Sequence, residues 1–266
     1  MTGKVWHAKQ WHGYGVCMTV HFHSSARGYR IAYQHQAGSA PGVVFLCGFR
    51  SDMESTKATA LAEWCGREGI AFTRFDYFAH GKSDGDFKEF TIGAAIADTL
   101  EILDHVATGD QILVGSSMGG WIALHAARER KPQVRAFIGI AAAPDFTERL
   151  MVSRMSPEQR QTLRDEGLIW VHSDYFNNDY PITENFLQEA RHHLLLDDVI
   201  GLDMPVDLLH GQEDADVPWE MALELSRKIV GDDITITLIK DGDHRLSRPQ
   251  DMELLVDVLR RRMLLV

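Results

Sequence analysis

The sequence predicts an α/β architecture: a mostly parallel central sheet, helices on both of its faces, and an inserted cap. Three observations predict it. Val43-Val-Phe-Leu46 is a continuous apolar run, the pattern of a strand buried on both faces. Strand and helix patterns then alternate strictly, as they do where crossover helices join parallel strands. Between Pro144 and about Met204 the alternation stops, and it resumes afterwards.

Thr19–His23 and Tyr29–Gln34 read as early antiparallel strands, and Ser39-Ala-Pro-Gly42 is a turn signal before the buried run. Thr56–Glu68 carries Ala58, Leu61, Ala62 and Cys65 at helical spacing, and Gly69 closes it. Ile70–Phe75 resumes a strand, and Thr91–Val106 places Ile92, Ala95, Ile96, Leu100 and Leu103 on one helical face. Strand Ile112–Val114, a helix from about Met118 to Arg130 and strand Val134–Ala141 follow. Inside the interruption, Ser156-Pro157-Glu158-Gln159 combines an N-cap Ser, Pro at the first helical position and a Gln that completes a capping box. The aromatic, Asn-rich stretch Trp170–Tyr180 reads as a hairpin and Thr183–His193 as a helix. Val206–Leu209, Trp219–Ile229, Ile234–Ile239 and Pro249–Leu265 then restore strand, helix, strand and terminal helix. The expected division is a sheet domain in two stretches, 1–143 and 205–266, with a cap of residues 144–204.

The chain has 266 residues and a formal charge of −11. Nucleic acid is not an expected partner, because binding a polyphosphate depends on Lys and Arg displacing its counterions. Cys17, Cys47 and Cys65 are too few and too irregularly spaced for a disulfide framework or a Cys-based zinc site. No apolar window reaches the roughly 18 residues a membrane span needs, and Met1–Gly15 shows no leader pattern. The expectation is therefore a cytoplasmic protein without a membrane span, a monomer or weak homodimer.

The sharpest chemical signal is Gly115-Ser116-Ser117-Met118-Gly119, set between a strand and a helix. A G-x-S-x-G turn in that context holds its Ser on a tight elbow at the top of the sheet, so Ser117 is the candidate nucleophile. The competing reading is a helix-capping Ser in a Gly-rich turn. A hydroxyl needs a base and an orienting carboxylate, in chain order Ser, acid, His. After Val206–Leu209 the segment His210-Gly211-Gln212-Glu213-Asp214-Ala215-Asp216-Val217-Pro218 offers Asp214, with Asp216 and then Glu213 behind it. After the last strand, Asp241-Gly242-Asp243-His244-Arg245 offers His244 as base. The oxyanion of an acyl-transfer intermediate needs donors: the Met118 amide is one, and the loop Cys47-Gly48-Phe49 offers the Phe49 amide as the second. Cys47 reads as a small buried hydrophobe rather than a thiol nucleophile.

Other clusters have structural readings. His21/His23 and His192/His193 lack metal-site spacing and neighbouring carboxylates, so no metal is expected, and no cofactor. Trp170, Tyr175, Phe176, Tyr180 and Phe186 either line an acyl pocket or form the cap's own core. Arg50 and Arg245 either meet a substrate carboxylate or pair with Asp52 and Asp243. Arg260-Arg261-Arg262 reads as the solvated face and charge complement at the end of the last helix.

From Ser24 to Val266 the chain resembles the α/β-hydrolase superfamily. The run Gln111-Ile-Leu-Val-Gly-Ser-Ser-Met-Gly-Gly-Trp121 carries the likeness, with Arg74-Phe-Asp-Tyr77, Ser83-Asp84-Gly85, Leu209-His-Gly211, Val217-Pro218-Trp219 and Asp243-His244-Arg245. Within the superfamily it is similar to the branch of mitochondrial acyl-protein depalmitoylating thioesterases and acyl-glucuronide esterases. The resemblance implies the α/β-hydrolase fold and ester or thioester hydrolysis through an acyl-enzyme on Ser117, with Asp214 and His244 completing the triad. The substrate is then a small-molecule or acyl-protein ester or thioester. A broad small-molecule carboxylesterase and a non-catalytic ligand-binding protein of the same fold remain the alternatives. Many members have His where Cys47 stands, which removes a side-chain brace from the oxyanion loop and leaves its backbone donor.

Overall fold

The computed structural model describes residues 18–173 and 178–264. Met1–Gly15, Cys17 and two aromatic candidates for the cap, Tyr175 and Phe176, lie outside the described residues. The chain opens with β1 (His21–Ser24), β2 (Arg30–Gln36), β3 (Ser39–Leu46), α1 (Thr56–Glu68) and β4 (Ile70–Phe75). After a short 3-10 turn at Phe87–Glu89 come α2 (Ile92–His105), β5 (Gln111–Ser116), α3 (Met118–Glu129) and β6 (Val134–Ile140). A π-helical segment at Thr147–Val152, α4 (Pro157–Glu166), β7 (Leu168–Ser173), β8 (Asn178–Thr183), α5 (Glu184–Ala190), a 3-10 turn at Arg191–His193 and β9 (Ile200–Gly201) follow. The chain finishes with β10 (Val206–Gly211), α6 (Glu220–Lys228), β11 (Ile229–Val230), β12 (Ile234–Ile239) and α7 (Pro249–Met263).

The main sheet has the order β1-β2-β4-β3-β5-β6-β10-β12. β1, β2 and β4 pair antiparallel, and every pairing from β4 to β12 is parallel. α1 packs with α7 and α2 with α3, so the helices form two layers around the sheet. This is the α/β-hydrolase fold. All six residues of β5 are buried, which is why that strand reads as an apolar run with no alternation.

The sheet order places β3 beside both β4 and β5, so the connections leaving β3 and β5 diverge. Open parallel sheets bind ligands in the crevice at the carboxyl ends of strands where the order reverses in this way. Between β6 and β10 the chain leaves the sheet, and β7 and β8 form an antiparallel hairpin there. Asp145 ties this excursion together, its carboxylate accepting the Leu195 and Leu196 amides at 2.8 Å each.

Two expectations are corrected here. Ser39–Gly42 is no free turn: Ser39 already pairs with Ile70 in β4, and an irregularity before Val43 accommodates Pro41, which has no amide hydrogen to offer the ladder. Arg260-Arg261-Arg262 is not a wholly solvated face, because Arg262 is only 2% exposed. Its guanidinium pairs with Asp207 and Asp233, and Arg261 also reaches Asp207. Asp207 is itself buried inside β10, and a buried carboxylate requires a counter-charge.

Candidate active site

Ser117 sits at the carboxyl end of β5, as the residue before α3, with φ 53° and ψ −119°. A positive φ is costly for a side chain with a Cβ, so packing must hold it. A Cβ on Gly119 would lie 2.2 Å from the Leu46 carbonyl oxygen, and one on Gly115 would lie 2.5 Å from the Gly119 carbonyl. The two glycines thus let β3, β5 and the first turn of α3 approach at backbone contact and force the elbow.

The other two residues come from the ends of β10 and β12. His244 Nε2 lies 3.2 Å from Ser117 Oγ, and His244 Nδ1 lies 2.8 Å from Asp214 Oδ2. The loops carrying them touch: a Cβ on Gly211 would fall 2.2 Å from the Gly242 carbonyl oxygen. Asp214 Oδ1 accepts the Asp216 and Val217 amides at 2.9 and 2.8 Å. Burial opposes the charged form of Asp214, but the hydrogen bonds from His210 and His244 outweigh it and hold the carboxyl well below its ordinary range. Asp216 and Glu213, the competing carboxylates, are exposed, and the Asp216 contribution to this network is its backbone amide.

Met118 is the first residue of α3, where a helix leaves its amide without an intrahelical acceptor. Gly48 borders Ser117, since a Cβ there would stand 3.4 Å from that of Ser117, and Phe49 follows it in the turn after β3. The Phe49 ring is wedged among Phe87, Phe90, Phe146, Tyr180 and Phe186, with centroids 5.3–6.2 Å away. Cys47 is buried, and burial pushes its thiol well above the ordinary range. The brace this loop needs comes from a residue that sequence reasoning passed over. The Arg50 amide donates to His80 Nε2 at 3.2 Å, while His80 Nδ1 meets the Phe78 carbonyl at 3.1 Å.

Ser117 and His244 open onto a cleft of about 790 Å³. Its apolar lining comes from Phe146, Leu150, Met151 and Met155 together with Ile169, Val171 and Ile182 of the hairpin. Its polar lining includes Asp52, Glu54, Lys57 and Arg245. Lys57 is buried there, pushed down to about 8 by that burial, and donates to the Arg245 carbonyl next to His244. Arg50 lies over the Tyr180 ring, 4.1 Å from its centroid, and donates to Asn178 Oδ1. The aromatic candidates divide: Tyr180 lines the cleft, Phe186 is core, and Trp170 is 58% exposed.

The alpha/beta hydrolase family model matches residues 43–258. The chain belongs to the alpha/beta hydrolase family. This hydrolase is 42% identical over 227 residues to the mouse palmitoyl-protein thioesterase ABHD10, mitochondrial, covering 85% of this chain and 76% of that protein. The solved structure of mouse alpha/beta hydrolase domain-containing protein 10 superposes with a TM-score of 0.85 at 39% identity, over 91% of this chain and 97% of that one. A putative hydrolase from Agrobacterium vitis S4 gives 0.88 at 35% identity, over 92% and 99% of the two chains. These relatives correct the expected compartment. The mouse and human proteins are both named mitochondrial, which points to mitochondria rather than the cytoplasm. The cytoplasmic expectation rested on the composition of the first residues and on the few, scattered cysteines, and neither settles a compartment.

Among the described residues, metal-type donor atoms cluster at Asp214, Asp216 and His244, all within 4.8 Å of one another. The hydrolase already uses those of Asp214 and His244 on each other and on backbone amides. One histidine of each pair found in the sequence does have a carboxylate beside it, 78 residues away for His23 and four residues away for His193. His23 meets Glu101 at 3.0 Å and stacks on His105, and His193 meets Glu189 at 2.7 Å. Among the described residues no helix is long and apolar enough to cross a membrane.

Proposed function

We propose that this hydrolase cleaves carboxylic esters and thioesters by two-step acyl transfer on Ser117, with protein-bound S-acyl groups as its substrate class. The continuous hydrogen-bonded line from Ser117 Oγ through His244 to Asp214 Oδ2 carries the reading. His244 Nε2 takes the Ser117 proton as Oγ attacks the acyl carbonyl, and the amides of Phe49 and Met118 receive the oxyanion. Asp214 stays ionised, orients the ring and stabilises the imidazolium. His244 then protonates the leaving group and activates the water that releases the acid. A thiolate or alkoxide departs more readily than an amine, which favours thioester and ester over amide. All three side chains come from one chain, consistent with a monomer or weak homodimer.

The thioester assignment draws on the name of the mouse relative and on the apolar lining of the cleft, which suits an acyl chain. Residues 144–204 act as the cap that supplies most of that lining. A fluorophosphonate probe tests the core of the proposal: it labels the wild type and leaves Ser117→Ala unlabelled. Equal labelling of both overturns the nucleophile, and labelling of neither returns the chain to a ligand-binding role. Release of thiol from an S-acyl peptide, abolished in Ser117→Ala, tests the substrate class.

A further inference from the structure

We propose that His210 is a second imidazole serving the acid of the triad, a positioning residue that acts through Asp214. The inference rests on the reading of Asp214 given above. His210 lies in β10, is 0% exposed, and precedes Asp214 by one i,i+4 step. Its Nε2 is 3.2 Å from Asp214 Oδ2, the same oxygen that His244 Nδ1 meets at 2.8 Å. The Val217 carbonyl oxygen is also within 3.0 Å of Nε2. Two acceptors therefore face this nitrogen, which assigns the ring proton to Nε2. Nδ1 is buried with no hydrogen-bond partner, so a second proton placed there would have no acceptor.

The Asp214 carboxylate is thereby filled. A carboxylate has about four acceptor positions, and here two amides meet Oδ1 while two imidazoles meet Oδ2. The Nε2–H of His210 is donated to the Val217 carbonyl oxygen at 3.0 Å, which holds the same nitrogen 3.2 Å from Oδ2. Its bond to Val217 folds the segment from Gly211 to Val217 back on itself, so the same ring places both the carboxylate and the loop that carries it. An orphaned Nδ1 in the core is a cost, and the constraint on Asp214 is what the position gains from a histidine.

The test compares substitutions that keep or lose the donor. Leu at 210 fills similar space without it, the Asn amide stops near the position of Nδ1, and the Gln amide reaches that of Nε2. His210→Leu and His210→Asn are expected to lower kcat for a p-nitrophenyl ester about ten- to a hundredfold with KM changed less than about twofold. His210→Gln is expected to recover most of that loss. In an Asp214→Asn background, His210→Leu is expected to cost nothing further, because its effect passes through the carboxylate. Wild-type kcat in both His210→Leu and His210→Asn, an equal loss in both backgrounds, or no recovery with Gln overturns the proposal. Wild-type kcat in Asp214→Asn alone instead overturns the acid assignment on which it rests.

Discussion

Arg50 and His80 are joined by one hydrogen bond, from the Arg50 amide to His80 Nε2 at 3.2 Å. It links the turn after β3, which carries Phe49, to the turn after β4. The bond requires a bare Nε2, and burial supplies that condition by pushing the imidazole down to about 4. A histidine whose folded-state value lies below its ordinary 6.5 binds more protons unfolded than folded in that interval. Its contribution to stability is present above about pH 6.5 and is lost as the pH falls towards 4. His80→Gln, which retains an acceptor, is expected to lose up to about 3 kcal/mol less than wild type over that range. Asp76 and Asp98, each raised to about 6 by burial, slope the opposite way and cancel in the comparison. Urea unfolding of both proteins at pH 7 and pH 4.5 measures the difference; parallel losses would refute it.

The competing carboxylates separate by kinetics. Asp214→Asn is expected to lower kcat by about 10²–10⁴, because the amide no longer fixes the tautomer of His244. Asp216→Asn removes an exposed carboxylate whose role is filled by its backbone, and is expected to change kcat little. Steady-state p-nitrophenyl ester kinetics on both variants gives the ranking, and the reverse order moves the acid to Asp216.

Acyl length reads the apolar lining of the cleft. Each buried methylene contributes roughly 0.8 kcal/mol, about a fourfold gain in kcat/KM while space lasts. The expected profile rises to chains of about eight carbons or more. Leu150→Trp, which fills the lining, is expected to move the optimum to shorter chains. A sharp fall above four carbons in the wild type would instead identify a small-ester enzyme.

The elbow glycine and its neighbour behave differently. Gly119→Ala drives a Cβ against the carbonyl oxygens of Leu46 and Cys47 at 2.2 and 2.6 Å, and the backbone must shift. It is expected to cost about 3 kcal/mol or more, seen as a large drop in thermal midpoint. Gly48→Ala meets ordinary contacts at 3.4 Å and is expected to keep its midpoint. Equal midpoints for the two variants would show that the elbow is not packed as described.

The layered fold was legible because each strand and helix announces itself within its own segment. Val43–Leu46 and Ile112–Val114 are apolar throughout since both faces are covered, and the Ser156 capping box is entirely local. Ser117, Asp214 and His244 were legible because the elbow has a fixed signature and its partners follow particular strands. His80 and His210 were not, since their roles are defined by atoms across space: the partner of His80 is 30 residues away, and that of His210 shows only once the loop folds back. The motif Leu209-His-Gly211 marked the position without marking its role. Arg262 was misread because three arginines at a helix end look alike until Asp207 is found buried opposite one of them.

The carboxylate of Asp145 closes a span of 50 residues by bonding to the amides at its far end. Closure entropy grows only logarithmically with the number of residues enclosed. The bond therefore closes a long excursion at little more entropic cost than a short one. One buried aspartate is thus the clasp that returns the excursion to its starting point.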